Sequence, residues 1–258
     1  MKNFITLFQK EMLESKRNGK WIWLPVVIMI LGISQPITTY YMPQIIEKAG
    51  NLPEGAKIEF PVPTGAEVLA ATLSQYGTIG TLLFVLATMG VISQERQNNV
   101  LTLIMARPVS AFQYIASKWS SQVIIALTSL FLSYVLTWYY TNLLFSPVRW
   151  IDVLISFLIY SLWIIFILTF TIWLGTFLRN SGGIAGVSLT LLAALSLLTG
   201  LATRYMKWSP ATLRDQATSI LIDQKNLDTF FLPVFSTIIL SIILFALAVN
   251  TLKRFEHF

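Results

Sequence analysis

The chain has 258 residues, of which 55% are hydrophobic and only 12% charged, whereas soluble domains carry about a quarter charged residues. The net charge of +6 does not make a nucleic-acid interface, because the Lys and Arg stand at the ends of apolar runs and not along one solvated face. With no cysteine there is no disulfide framework, thiol nucleophile or Cys-based metal site. A mean hydropathy of +0.68 and a succession of long apolar runs point to an all-α integral membrane protein.

Residues 1–20 form a basic amphipathic segment. Phe4, Phe8 and Met12 recur at helical spacing with Ile5 and Leu13 beside them, and Lys2, Lys10, Lys16 and Arg17 take the remainder. This pattern suits a helix lying in the cytoplasmic membrane interface. No small-x-small cleavage site follows, so the next apolar run reads as a retained span.

Six transmembrane helices are expected, at 21–41, 68–93, 119–144, 151–178, 182–202 and 230–251. Trp21, Trp23, Tyr40 and Tyr41 mark the two interfaces of the first, and Pro25 and Pro36 should kink it or locally unwind it. Between the fifth and sixth spans, 209–224 opens with Ser209 as N-cap and Pro210 at the first helical position. Leu213, Ala217, Ile220 and Leu221 then share a face, which predicts a short amphipathic helix on the outer surface or dipping into it. Gly182-Gly183 reads as a tight inner turn, and Gly182 with Gly186 as a GxxxG pair for close helix packing or, as the alternative, dimerisation.

Orientation follows from charge. With the N-terminus inside, the inner segments hold eleven basic residues and four acids, the outer ones seven and eight. All five basic residues before the first span lie on one side, so both termini are expected in the cytoplasm.

The second, third, fifth and sixth spans lack ionisable residues between their ends, and the fourth has only Asp152, at its edge. Proton- and ion-coupled transporters keep such residues as relays. The single histidine, His257, is the penultimate residue, so neither a Ser–His pair nor a metal cluster can assemble in the bilayer. A phosphate loop with its lysine is also missing. The chain therefore reads as a non-enzyme with no power source of its own. Ser, Thr and Gln within the spans read mostly as interhelical glue.

The inner connection 94–118 is the most informative segment. Glu95 and Arg96 open it, and Val100, Leu101, Leu103, Ile104 and Met105 follow as a short apolar helix. Arg107-Pro108 breaks that helix, and Ser110 is placed to cap the next. The segment resembles the signature of ABC-2 type transporter permeases, E-[RK]-x-x-G-T-L-x-x-L-L-x-x-P-[VI]-S-R. Glu95, Arg96, Leu101, Ile104, Met105, Pro108, Val109 and Ser110 match, and Lys118 falls where that family often has a basic residue. Asn99 replaces the glycine, Val100 the threonine and Ala111 the final arginine. Asn is the non-glycine residue that best tolerates positive φ, so the turn is expected to survive.

The family pattern of six spans, an N-terminal elbow helix, cytoplasmic termini and an outer helix before the last span matches the whole chain. The resemblance implies one permease domain over 1–258 that pairs with a second permease, identical or related. It implies two ATP-binding cassette subunits, which bind ATP and magnesium; no cofactor is expected on this chain. Glu95, Arg96, Asn99, Leu101, Leu103, Ile104, Arg107 and Pro108 would form the coupling helix that receives the ATPase's motion. The expected role is export of an amphipathic, peptide or lipid-like compound, an antimicrobial for instance, across a bacterial plasma membrane. The competing reading is a regulatory or scaffolding membrane protein that docks a cytoplasmic partner and transports nothing.

Overall fold

The computed structural model describes residues 2–49, 62–105, 109–223 and 230–255. Every element among them is helical. The chain opens with α1 (Lys2–Arg17) and turns at Gly19, whose φ of 67° suits a residue without Cβ. It then enters α2 (Lys20–Ala49), which runs on through Pro25, Pro36 and Pro43. Of the two expectations for Pro25 and Pro36, a kink or local unwinding, the unwinding does not occur: the helix is continuous through both. The second span, Gly65–Gln97, starts from a capping box in which Thr64 and Glu67 satisfy each other's backbone N–H. It is divided into α3 (Gly65–Gln75), a π-helical turn at Tyr76–Gly80, α4 (Thr81–Thr88) and α5 (Gly90–Gln97). The π turn has no counterpart in the sequence reading; π turns in helices frequently mark functional sites.

After α5 come the short α6 (Val100–Met105), then α7 (Ala111–Leu144), α8 (Trp150–Phe177), α9 (Ser181–Leu201), α10 (Thr212–Asp223) and α11 (Phe231–Phe255). Ser110 caps α7 in a capping box with Gln113, as its position suggested. At 34 residues α7 is about 51 Å long, well beyond the roughly 30 Å hydrocarbon layer. Its first turns, Ala111 to Lys118, belong to the inner connection of the sequence reading, so that connection is mostly helix. Six helices, Lys20–Ile46, Gly65–Gln97, Ala111–Leu144, Trp150–Phe177, Ser181–Leu201 and Phe231–Arg254, are long and apolar enough to cross a membrane.

A large apolar core joins α2, α3, α4, α7, α8 and α10 around Leu73, Tyr76, Phe84, Tyr160, Trp163 and Leu213. A smaller one at the α1 end packs Ile92, Ala111, Tyr114, Ile115, Ile172, Ala248, Val249 and Leu252. That second core brings the end of α11 to the same end of the bundle as α1.

Helix α10 is amphipathic as expected: Leu213, Ala217, Ile220 and Leu221 share a face that dips into the main core, while Asp215 and Ile222 stay exposed. Other sequence expectations change. The Gly182-Gly183 pair is not a turn. Asn180 caps α9 by accepting from Gly182 N–H at 3.0 Å, so both glycines lie in the first turn of the helix. Nor does the GxxxG pair pack closely within this chain, since a Cβ at Gly186 would meet nothing within 4 Å. Most Ser and Thr hydroxyls in the spans bond a carbonyl of their own helix, as Thr128, Ser129 and Thr137 do. Interhelical pairs are fewer, among them Tyr76–Ser133 at 2.5 Å, Gln75–Ser34 at 3.2 Å and Tyr134–Ser156 at 2.6 Å.

Candidate functional site

The site lies where α1, α5 and the start of α7 meet. Phe4, Leu7, Phe8, Glu11 and Ser15 occupy the protected face of α1, so the amphipathic pattern carries a carboxylate onto its inner stripe. Glu11 is 5% exposed, Glu95 6% and Lys118 1%. Charges that deep are tolerated only when paired, and here each is. Lys118 Nζ donates to Glu11 Oε1 at 2.9 Å and forms an ion pair with Glu95 Oε2 at 3.0 Å. Tyr114, one turn before Lys118, donates its hydroxyl to Glu95 Oε2 at 2.5 Å and places its ring under the Lys118 ammonium, 5.0 Å from the centroid. Lys10 reaches Glu95 Oε1, Glu11 Oε1 at 3.0 Å and Glu14 Oε2 at 3.1 Å.

Glu11, Glu14 and Glu95 bring their oxygens within 4.8 Å of one another, a spacing that suits a metal ion. Lys10 Nζ already contacts all three and Lys118 Nζ contacts Glu11 and Glu95, so ammonium groups occupy the cluster and offset most of its charge. Burial alone would lower the pKa of Lys10, but the Glu11 and Glu95 carboxylates hold it well above the ordinary lysine value.

Helix α5 is also tied to the turn between α8 and α9. Arg96 Nη2 donates to the Thr176 carbonyl at 2.6 Å, in the last turn of α8, where helix carbonyls lack intrahelical partners. Gln97 Nε2 donates to the Arg179 carbonyl at 2.8 Å, and Ser93 Oγ meets Ser181 Oγ at 2.7 Å. Asn99 then ends the helix at a φ of 57°, the one positive φ outside glycine among the described residues.

The eight residues singled out in the sequence therefore divide. Glu95 and Arg96 face inward and hold elements together, and Asn99 makes the turn. Leu101 and Ile104 pack on the smaller core. Leu103 points away from it, 70% exposed. Arg107 and Pro108 lie outside the described residues. Between α1 and α6 runs a groove of about 380 Å³ with Leu7 and Lys10 on one wall and Val100, Leu103 and Ile104 on the other.

Sequence reasoning missed Lys10 and Tyr114 as partners of Glu95, and Glu11 as the second buried carboxylate on Lys118. A carboxylate at i+3 from Phe8, on the apolar stripe, was the available signal for Glu11. It also missed Arg214. From α10, Arg214 Nη1 donates to the Gly77 carbonyl in the π turn at 3.2 Å, and its guanidinium carbon stands 5.4 Å over the Trp163 ring. Gly77 leaves the room, since a Cβ there would come within 3.2 Å of Arg214.

Six apolar spanning helices around these polar junctions define a multi-pass membrane protein. Residues 5–240 match the model of the ABC-2 family transporter proteins. The chain is 40% identical over 258 residues, the whole of both chains, to the uncharacterized transmembrane protein YxlG of Bacillus subtilis (strain 168). The chain belongs to the ABC-2 transporter family.

Proposed function

We propose that the chain is the permease subunit of an ATP-driven exporter and takes its power from separate ATP-binding cassette subunits, two per transporter, that bind ATP and magnesium. The observation that carries this reading is α6. It is anchored by Leu101 and Ile104, shows Leu103 outward, and follows directly from the helix whose Glu95 is ion-paired to α1 and α7. A push on Leu103 is thereby passed to the elbow helix and the third span together, because three helices share one buried charge cluster.

On this reading α6 is the coupling helix, both termini lie in the cytoplasm, and the protein sits in the plasma membrane of a bacterium. A second permease, identical or related, completes the translocation path. The substrate is an amphipathic, peptide or lipid-like compound that moves outward as the seam between the two permeases opens alternately. Family membership and the basic α1 end support this arrangement.

The test is Leu103→Glu. Leu103 is exposed, so membrane insertion and thermal stability should stay at the wild-type level, while co-purification with a co-expressed ATP-binding cassette protein and stimulation of its ATPase are lost. Unchanged co-purification and unchanged stimulation would defeat the coupling assignment and favour a non-transporting membrane scaffold.

A further inference from the structure

A groove of about 550 Å³ runs between α7 and α11 at the α1 end of the bundle, with Leu162 and Ile165 of α8 behind it. Its lining offers an occupant almost nothing to hydrogen-bond. The Ser120 and Thr237 hydroxyls are turned onto carbonyls of their own helices, Ala116 at 2.7 Å and Pro233 at 2.6 Å. The groove is also fixed in shape. Trp119 Nε1 donates to Thr169 Oγ1 at 2.8 Å, which holds the indole, and the Phe245 ring meets Trp119 and Phe112 edge-on, each at 5.8 Å. Water is not held in a space without polar partners, so what fills it is hydrocarbon.

One end of the groove is positive. Ile238, Ile242 and Phe245 recur at i, i+4 and i+7 along α11 and lead toward its last turn, where Lys253 and Arg254 are exposed. From Phe245 to Lys253 is about 12 Å along the axis, and a lysine stem runs along apolar surface to bring its ammonium to a headgroup. Phe4 enters the groove from the first turn of α1, which contains no acidic residue, so the positive end of that helix dipole lies beside it. We infer that the groove holds an acyl chain of an anionic phospholipid whose phosphate lies against Lys253 and Arg254. Lipid chains cover any spanning surface; the selection of a headgroup is what this site adds. It goes beyond the exporter reading and holds whether or not the chain moves a substrate.

The full-length protein, purified in detergent, would be titrated with dioleoyl phosphatidylglycerol or with dioleoyl phosphatidylcholine, which has the same chains, and bound lipid counted by native mass spectrometry. Saturable binding of phosphatidylglycerol is expected, about thirtyfold tighter than phosphatidylcholine, the effect of two basic residues at a headgroup. Lys253→Gln combined with Arg254→Gln should remove that preference and leave phosphatidylcholine binding unchanged. Ile242→Trp fills the groove and should weaken phosphatidylglycerol at least about tenfold. Ile239→Trp, on the same helix but outside the groove, should not. Both isoleucines are exposed, so both variants should fold. Equal affinity for the two lipids, wild-type phosphatidylglycerol binding in the double variant or in Ile242→Trp, or equal weakening by Ile239→Trp would overturn the proposal. So would loss of a protein dimer in Ile242→Trp with lipid binding kept, which would assign the groove to a second copy of the chain.

Discussion

Lys118 Nζ and Glu95 Oε2 lie 3.0 Å apart, with side chains 1% and 7% exposed, and join the start of α7 to the end of α5. An ion pair this deep gains little over an apolar pair of the same shape, but breaking it leaves a buried charge without its partner, at a cost of about 3–5 kcal/mol. Lys118→Met should therefore destabilise strongly. Lys118→Met combined with Glu95→Gln should recover part of that loss. Thermal unfolding midpoints of the purified single and double variants check this, and strictly additive losses would refute the coupling.

Asn99 holds the turn between α5 and α6 at a φ of 57°. Asn99→Gly should be neutral or slightly stabilising. Asn99→Val forces a β-branched residue into the left-handed region and should cost at least about 1–2 kcal/mol, with loss of partner ATPase stimulation as α6 shifts. Similar midpoints for the two variants would contradict the geometry.

Gly32 is a packing glycine: a Cβ there would run into the Tyr76 hydroxyl, Ser133 Oγ and Thr137 Oγ1. Gly32→Ala should cost about 1–3 kcal/mol by overpacking. Gly186→Ala, in open space, should be neutral or mildly stabilising because Ala is the better helix former. Midpoints of the two variants measured side by side decide this.

Arg214 fastens α10 to the π turn through the Gly77 carbonyl. Arg214→Met keeps most of the stem packing and removes a hydrogen bond from a charged donor, worth about 1.5–3 kcal/mol. Faster hydrogen exchange along α10, with the α5–α7 amides unchanged, is the expected pattern; uniform protection across both regions would contradict it.

What was legible in the sequence was local. Span length, the Ser110 cap, the amphipathic face of α1 and the shared face of Leu213, Ala217, Ile220 and Leu221 each depend on residues within a few turns, where periodicity and capping chemistry act. The number of spans followed from apolar run length alone, because a bilayer requires every backbone group to be satisfied within its own helix. What the tertiary structure decided was non-local. Glu11 pairs with Lys118, 107 positions on, and Lys10 with Glu95, 85 positions on. Charges at helix ends look alike in a one-dimensional pattern, whether they meet water or each other. Only the approach of α1, α5 and α7 turns Glu95 from a surface residue into a buried link, and only the insertion of α10 into the core sends Arg214 to the π turn.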